Sequence, residues 1–104
     1  MTVFAVNPTD NDISAAAEYG DVHYINTRYV YGDEINDQKL PHEVYMMLWR
    51  AAKEFDQDTD YLLLIGDHLQ MVTFAALVQR EHGEFRVLRW DRQAKGYVVC
   101  WVRG

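Results

Sequence analysis

Residues 60–83 read DYLLLIGDHLQMVTFAALVQREHG, and this stretch decides the fold. Its uncharged opening run, residues 61–65, is bounded by polar residues and glycine, which is typical of a strand buried on both faces of a parallel sheet. Gly66 permits a tight turn, and Asp67 is a good helix N-cap because its carboxylate can accept from the free amides of the first turn. The stretch therefore predicts a buried strand, a turn and a central helix that ends at Gly83.

The predicted central helix is apolar on nearly all sides between Leu69 and Val78. A helix that is apolar on nearly all sides is expected to be buried in the core rather than to lie on the surface. We therefore expect Phe74 and Leu77 to lie in the core. A narrow polar stripe is expected to face solvent and is formed by Gln70, Thr73 and Arg80.

Strands and helices alternate on both sides of this stretch. The other predicted strands span residues 2–6, 22–25, 85–90 and 97–102, and the other predicted helices span residues 13–19 and the segment that Pro41 opens. Helices between strands imply parallel pairing with right-handed crossovers, and the short turn before the last strand implies an antiparallel hairpin. The sequence predicts one α/β domain over residues 1–104, with a small three-layer, Rossmann-like or flavodoxin-like sheet. The sheet should be mostly parallel, in the order 2-1-3-4-5, with an antiparallel C-terminal edge hairpin.

The composition excludes several classes of protein. At 104 residues with 49% hydrophobic content, the chain can bury a core of its own. Cys100 is its one cysteine, so neither an intrachain disulfide nor a cysteine-rich zinc site is expected, and a reducing, cytoplasmic setting follows. The sequence contains no run of about 18 apolar residues and no pattern of a signal peptide, which argues against a membrane protein.

The charge is unevenly distributed along the chain. Residues 1–67 hold thirteen acidic and four basic residues, and the remainder holds three acidic and six basic ones, for a net charge of −6. An acidic chain argues against direct binding to nucleic acid. Arg86, Trp90 and Trp101 of the predicted hairpin are typical of a single-strand binding surface, yet Arg side chains also protect an exposed sheet edge. We favour the second interpretation.

The topology predicts where a ligand would bind. In an open α/β sheet, ligands bind at the carboxyl ends of the strands where the winding direction reverses, here between strands 1 and 3. The residues that would meet there are Asn7, Thr9, Asp10, Asp12, Gly66, Asp67 and His68. Three residues after the second strand would flank them, namely Asn26, Thr27 and Arg28. The same residue types are also those that cap helices and turns, so capping alone would account for them.

An enzyme using these loops would have to work without the familiar motifs. There is no glycine-rich dinucleotide fingerprint, no phosphate loop and no nucleophile elbow. Asp10, Asp12 and Asp67 could hold magnesium through oxygen ligands, and His68 could act as an acid or base. No cofactor is otherwise expected, and the sequence favours a protein that is not an enzyme.

A run of features in the C-terminal part carries a family resemblance. An apolar strand ends in Gly66 and a polar residue, a helix closes at His82-Gly83, and Val87-Leu88-Arg89-Trp90-Asp91 precedes a tyrosine-led last strand. With these features, residues 60–102 resemble the C-terminal part of small uncharacterised proteins of bacteriophages and prophages. The resemblance implies a phage source and this fold, and it transfers no functional residues.

The sequence thus favours a small acidic protein-binding module, phage-encoded, that binds and inhibits or redirects a host protein. The irregular connection between the second strand and Pro41 would supply an aromatic and acidic contact surface for a host protein with a basic surface. Its contact residues would be Tyr29, Tyr31, Asp33, Glu34 and Asp37. The alternative is a nucleotide- or metal-binding enzyme, hydrolase-like or nuclease-like, that uses the loops after strands 1 and 3. A homodimer is compatible with either hypothesis.

Overall fold

The computed structural model describes residues 1–28, 30–35 and 38–103. Within these residues the fold consists of five strands and two α-helices, with two short 3₁₀ helices, Ser14–Tyr19 and Gly32–Glu34. The strands are β1 (Thr2–Ala5), β2 (Asp21–Tyr24), β3 (Tyr61–Leu63), β4 (Phe85–Asp91) and β5 (Gly96–Val102). The α-helices are α1 (His42–Glu54) and α2 (His68–His82).

The five strands form one sheet in the order β2-β1-β3-β4-β5, which confirms the predicted topology. β1 pairs in parallel with both β2 and β3, and β3 pairs in parallel with β4. β4 and β5 pair antiparallel over seven residues each, from Phe85 opposite Val102 to Asp91 opposite Gly96. The carboxyl ends of β1 and β3 therefore lie side by side, where the predicted site should be.

The two faces of the sheet are covered unequally. α1 and α2 pack on one face, over an aromatic cluster in which Phe4, Phe55 and Phe74 have ring centroids 5.6 to 6.2 Å apart. The 3₁₀ helix Ser14–Tyr19 packs on the other face, where Ala16 is buried against Val3 and Ala5. The three layers are present, but the layer formed by this 3₁₀ helix is only six residues long.

The predicted helix over residues 13–19 is a 3₁₀ helix that begins at Ser14. Such a short segment cannot repay the cost of nucleating an α-helix, and Gly20, at φ +146°, stops it. Its N-cap is Ile13, which makes no side-chain cap hydrogen bond, and Asp12 Oδ1 accepts from Ser14 N at 2.9 Å in the turn just before the helix.

The central helix α2 buries Phe74 and Leu77, as predicted. The predicted polar stripe is wrong at Gln70, which is 1% exposed, whereas Val72 on the apolar part of the helix is 67% exposed. The physical reason is that two asparagines, which follow β1 and β2, present amide groups under α2. Leaving a buried amide without a hydrogen-bonding partner costs more free energy than exposing a valine side chain, so Gln70 rather than Val72 faces them.

Candidate functional site

A cavity of about 530 Å³ opens at the carboxyl ends of β1 and β3, where the topology predicts a site. The end of β1, the loop after β2 and the first turn of α2 form its walls. Its volume falls within the range of small-molecule sites. Among the described residues, nine line it: Asn7, Pro8, Thr27, Arg28, Val30, Gly66, Asp67, His68 and Gln70.

The structure brings part of the predicted ligand site to this cavity. Asn7, Gly66, Asp67 and His68 line it, whereas Thr9, Asp10 and Asp12 are not among its lining residues. Two of the latter make hydrogen bonds within their own loop: Thr9 Oγ1 accepts from Asn11 N at 3.2 Å, and Asp12 accepts from Ser14 N. The hydrogen bonds from the backbone and then the side chain of Ser14 hold the pKa of Asp12 below its ordinary value.

Three side-chain amides are joined beneath the cavity. Asn7 Nδ2 donates to Asn26 O at 3.0 Å and to Gln70 Oε1 at 3.3 Å. Asn26 Nδ2 also donates to Gln70 Oε1, at 3.1 Å, and both Asn26 and Gln70 are 1% exposed. This network ties together the ends of β1 and β2 and the first turn of α2. It gives the floor of the cavity a fixed set of polar atoms.

Gly66 lets the chain pass close to β1 at this point. Its φ is +100°, and a Cβ atom there would lie 2.8 Å from Val6 Cγ2 and 3.0 Å from Asn7 Oδ1. A side chain would therefore be strained in its backbone angle and would collide with the end of β1. The glycine allows Asp67 N to reach Asn7 Oδ1 at 2.9 Å, which positions the start of α2 over the cavity.

At the rim of the cavity, the positive charge of Arg28 is paired with carboxylates. Arg28 donates to Glu34 Oε1 at 2.6 Å and to Glu43 Oε1 at 3.1 Å. The hydrogen bond from Tyr31 N, and then the one from Arg28, hold the pKa of Glu34 below its ordinary value. Two carboxylates therefore offset one guanidinium, and Asp67 adds a third carboxylate at the rim.

Within the described residues, no group of three or more His, Cys, Asp or Glu side chains is placed to hold a metal ion. The predicted magnesium ligands Asp10, Asp12 and Asp67 do not form such a group. The cavity can present hydrogen-bond donors and acceptors to a ligand. It does not assemble the set of oxygen ligands that the sequence suggested.

The predicted contact surface for a partner is described in part. Tyr31 is 62% exposed and Asp33 is exposed, whereas Glu34 accepts hydrogen bonds from Arg28 and from Tyr31 N. Tyr29 and Asp37 lie outside the described residues. The connection thus offers an exposed tyrosine and an exposed carboxylate, and Glu34 is engaged within the protein.

The β4–β5 hairpin forms a second accessible surface. Trp101 is 56% exposed and Val99 is 41% exposed on one face of β5. The Arg86 guanidinium lies 4.2 Å from the centre of the Tyr61 ring and 5.8 Å from that of Trp101, and it donates to the Tyr61 hydroxyl at 3.1 Å. The expected covering of the hairpin by arginine is therefore seen at one position.

Sequence reasoning missed two features of these surfaces. Gln70 was assigned to solvent, although its place three residues after the N-cap Asp67 is the position at which a glutamine often folds back toward a helix start. The lack of charge on the predicted edge strand β5 was also missed. The absence of any charged residue from positions 96–102, at the predicted edge of a sheet, was the available signal.

Comparison of the chain with known proteins found one family. A family model described as "Phage Pam3 gp32-like protein" matches residues 2–103. No curated protein and no solved structure matches the chain. Among the described residues, no helix has the length and apolar character needed to cross a membrane. Because the match covers nearly every residue from β1 to the end of β5, the chain belongs to the family of phage Pam3 gp32-like proteins.

Proposed function

We propose that this phage-family protein binds a host protein, and so inhibits or redirects it, by pairing an extended segment of that protein with β5. The observation that carries the proposal is the character of the β5 edge. In the sheet of described residues, β5 has one neighbouring strand, so its other edge has no strand beside it. Its sequence, GYVVCWV, is uncharged over seven residues.

The opposite edge of the sheet provides a contrast within the same molecule. β2 is four residues long and carries Asp21 and His23, both exposed. Short length and charge are the usual means by which proteins prevent unwanted strand pairing, and β5 has neither. An extended segment added to β5 would gain main-chain hydrogen bonds, and its alternate side chains would meet Val99 and Trp101.

The charges beside β5 indicate the chemistry of the partner. Lys95 precedes the strand, Arg103 follows it, and Arg92 lies in the hairpin turn. An extended segment with alternating apolar residues and acidic flanks would complement this surface. The acidic connection is the weaker candidate, because Arg28 already engages Glu34 and Glu43. A host protein with a basic surface would have to use Asp33 and Tyr31.

A second copy of the chain is a poorer occupant of this edge. Antiparallel pairing of two β5 strands centred on Val99 would place Lys95 of one copy beside Arg103 of the other. Like charges at directly opposed positions destabilise a strand pair. We therefore expect the isolated protein to be monomeric in solution. If sedimentation showed a dimer, and if a substitution at Val99 abolished that dimer, self-pairing would be favoured over host binding.

The proposal can be tested by comparing host-lysate captures by two lysine variants. Val99→Lys places a charge on the exposed face of β5, and Val72→Lys makes the same change on the exposed face of α2. We expect Val72→Lys and the parent protein to retain the same partner, and Val99→Lys to lose it. Captures should be made at low and moderate salt. A partner that Val99→Lys retains, or no partner at either salt concentration, would contradict the proposal.

The second candidate function is binding of a small ligand, with or without catalysis, in the cavity at the ends of β1 and β3. Its support is that Asn7, Gly66, Asp67 and His68 line a cavity of about 530 Å³ at the predicted position. A thermal-shift screen with magnesium, manganese, nucleotides and nucleosides is the direct test, because a ligand that binds the folded state raises the melting temperature. A screen without any shift would count against this function.

A further inference from the structure

The orientation of the buried amides can be worked out from backbone groups. Asn7 Oδ1 accepts from Asp67 N at 2.9 Å, and Asn26 Oδ1 accepts from Arg28 N at 3.0 Å. A backbone N–H can only donate, so the atoms that face it must be oxygens. The two Nδ2 groups are therefore the donors that face Gln70.

This fixes the orientation of Gln70 in turn. Its nearer atom receives two N–H donors, at 3.3 Å from Asn7 and 3.1 Å from Asn26, and must be Oε1. The Nε2 group is left with two hydrogens to donate. Within residues 1–28, 30–35 and 38–103, Gln70 Nε2 makes no hydrogen bond.

Gln70 directs this donor toward the cavity. The residue is 1% exposed and lines the cavity. Its Nε2 has no hydrogen-bonding partner in the described residues but is not fully buried, so it keeps some contact with solvent. Gln70 is also released from a capping role. Asp67 N, which a glutamine at this position could otherwise accept from, donates to Asn7 instead. A buried amide nitrogen without a protein partner at a cavity wall is the arrangement of a recognition group.

An acceptor accompanies this donor on the same helical turn. Asp67 Oδ2 accepts from Gln70 N at 2.9 Å, which places the two residues in contact. Asp67 Oδ1 accepts no hydrogen bond within the described part of the chain, and Asp67 lines the same cavity. The cavity lining therefore includes a side-chain amide donor, Gln70, and a carboxylate acceptor, Asp67, on the same helical turn.

The surrounding charge selects against an anionic ligand. Glu34 and Glu43 offset Arg28, and Asp67 is itself an acid at the cavity. A phosphate group would meet this carboxylate without an unopposed cation to balance it. A neutral ligand that presents a carbonyl oxygen next to an N–H would satisfy both Gln70 and Asp67.

We infer that this cavity binds the lactam edge of a neutral heterocycle, a nucleobase or a nucleoside, with Gln70 Nε2 donating to the carbonyl oxygen and Asp67 Oδ1 accepting from the adjacent N–H. This inference rests on the second candidate function and is independent of host binding by β5. It names the ligand class for a cavity that the sequence placed but could not assign.

Uridine and 3-methyluridine form the matched pair of probes, because they differ in the N–H that would meet Asp67. In isothermal titrations extended into the millimolar range, uridine should bind about tenfold or more tightly than 3-methyluridine, which corresponds to one hydrogen bond to a charged acceptor. Equal binding of the two, or no binding of uridine, would overturn the inference. Uridine monophosphate binding far more tightly than uridine would overturn the requirement for a neutral ligand.

Two variants test the protein side. Gln70→Glu keeps the oxygen that Asn7 and Asn26 require but replaces the donor, and should weaken uridine binding about tenfold or more. Asp67→Asn preserves the helix cap, since asparagine caps as well as aspartate, and should remove the preference for uridine over 3-methyluridine. Circular dichroism melts establish that each variant folds. The assignment of Gln70 as donor would be refuted if Gln70→Glu bound uridine as tightly as the parent. The assignment of Asp67 as acceptor would be refuted if Asp67→Asn still preferred uridine to 3-methyluridine.

Two controls separate this inference from the rest. Gln79→Glu makes the same chemical change on α2 away from the cavity and should leave uridine binding unchanged. Val99→Lys should also leave it unchanged, because β5 does not line the cavity. Loss of uridine binding in either control would overturn the site. A host-binding failure with intact uridine binding would refute only the proposal for β5.

Discussion

Replacing Gln70 with alanine should destabilise the protein, although the residue looks like a solvated position in the sequence. The substitution removes the oxygen that accepts from Asn7 at 3.3 Å and from Asn26 at 3.1 Å. Asn7 Nδ2 keeps its second bond, to Asn26 O at 3.0 Å. Asn26 is 1% exposed and would keep a buried N–H without a partner.

The expected loss follows from that single orphaned donor. A buried donor left without an acceptor costs about 1–3 kcal/mol. Alanine is a slightly better helix former than glutamine and offsets a few tenths of a kcal/mol. The net expectation is a loss of about 1–2.5 kcal/mol, and a loss of 2 kcal/mol would lower the melting temperature by roughly 8–16 °C in a domain of this size.

Urea unfolding monitored by circular dichroism measures this loss directly. Gln79→Ala is the matched control, because Gln79 lies on the same helix and its side chain donates to Arg103 O near the surface. We expect the control to change stability by less than about 0.5 kcal/mol. If Gln70→Ala and Gln79→Ala gave the same midpoint and slope as the parent, the amide network would not be formed and the cavity would have a different floor.

Three further predictions follow from other contacts. Leu77→Ala should cost about 2–5 kcal/mol in urea unfolding because Leu77 is buried on α2, whereas Val72→Ala on the exposed face should be nearly neutral, and equal midpoints would contradict the packing. Gly66→Ala should cost about 1–3 kcal/mol through its φ of +100° and the contact with Val6, whereas Gly32→Ala, with open space around it, should not; a thermal melt decides between them. The lowered pKa of Glu34 means that its contribution to folding is complete above the ordinary pKa of 4.5 and is lost as the pH falls through the lowered value. The Tyr31 amide resonance should therefore titrate below pH 4.5, and Glu34→Gln should abolish that titration.

The sheet order could be predicted because it depends on local signals. Three local signals each fix one connection: the apolar run before Gly66, the cap at Asp67 and the short turn after Asp91. The handedness of crossovers fixes the remaining connections. The same logic placed the cavity, since parallel strands end at one edge. Asn7 and Asp67 meet there because β1 and β3 are neighbours.

The amide network could not be predicted because it depends on distance rather than on pattern. The topology places Asn26 beside the loop that carries Asn7, but nothing in the spacing shows that both amides bond to Gln70, and a glutamine on an apolar helix is ordinarily solvated. This tertiary contact buries Gln70, whereas Val72 on the same helix is exposed and Phe74 and Leu77 keep their predicted place in the core. The uncharged character of the β5 edge is seen only when the charges of the two outer strands, β2 and β5, are compared. That comparison needs the strand order first.

The position of β1 within the sheet has a consequence for synthesis. β1 pairs with β3, and Thr2 N donates to Asp60 Oδ1 across 58 positions of sequence, whereas β4 and β5 are joined by a short turn. Contacts across a short turn form early in folding, and contacts between distant segments form late. While the chain is being made, β1 can pair with β2 once residues 21–24 have emerged, but its edge toward β3 stays unpaired until residues 61–63 have left the ribosome. Nascent chains that stall before that point would expose this edge beside Val3 and Phe4, and those that pass it can pair β1 with β3.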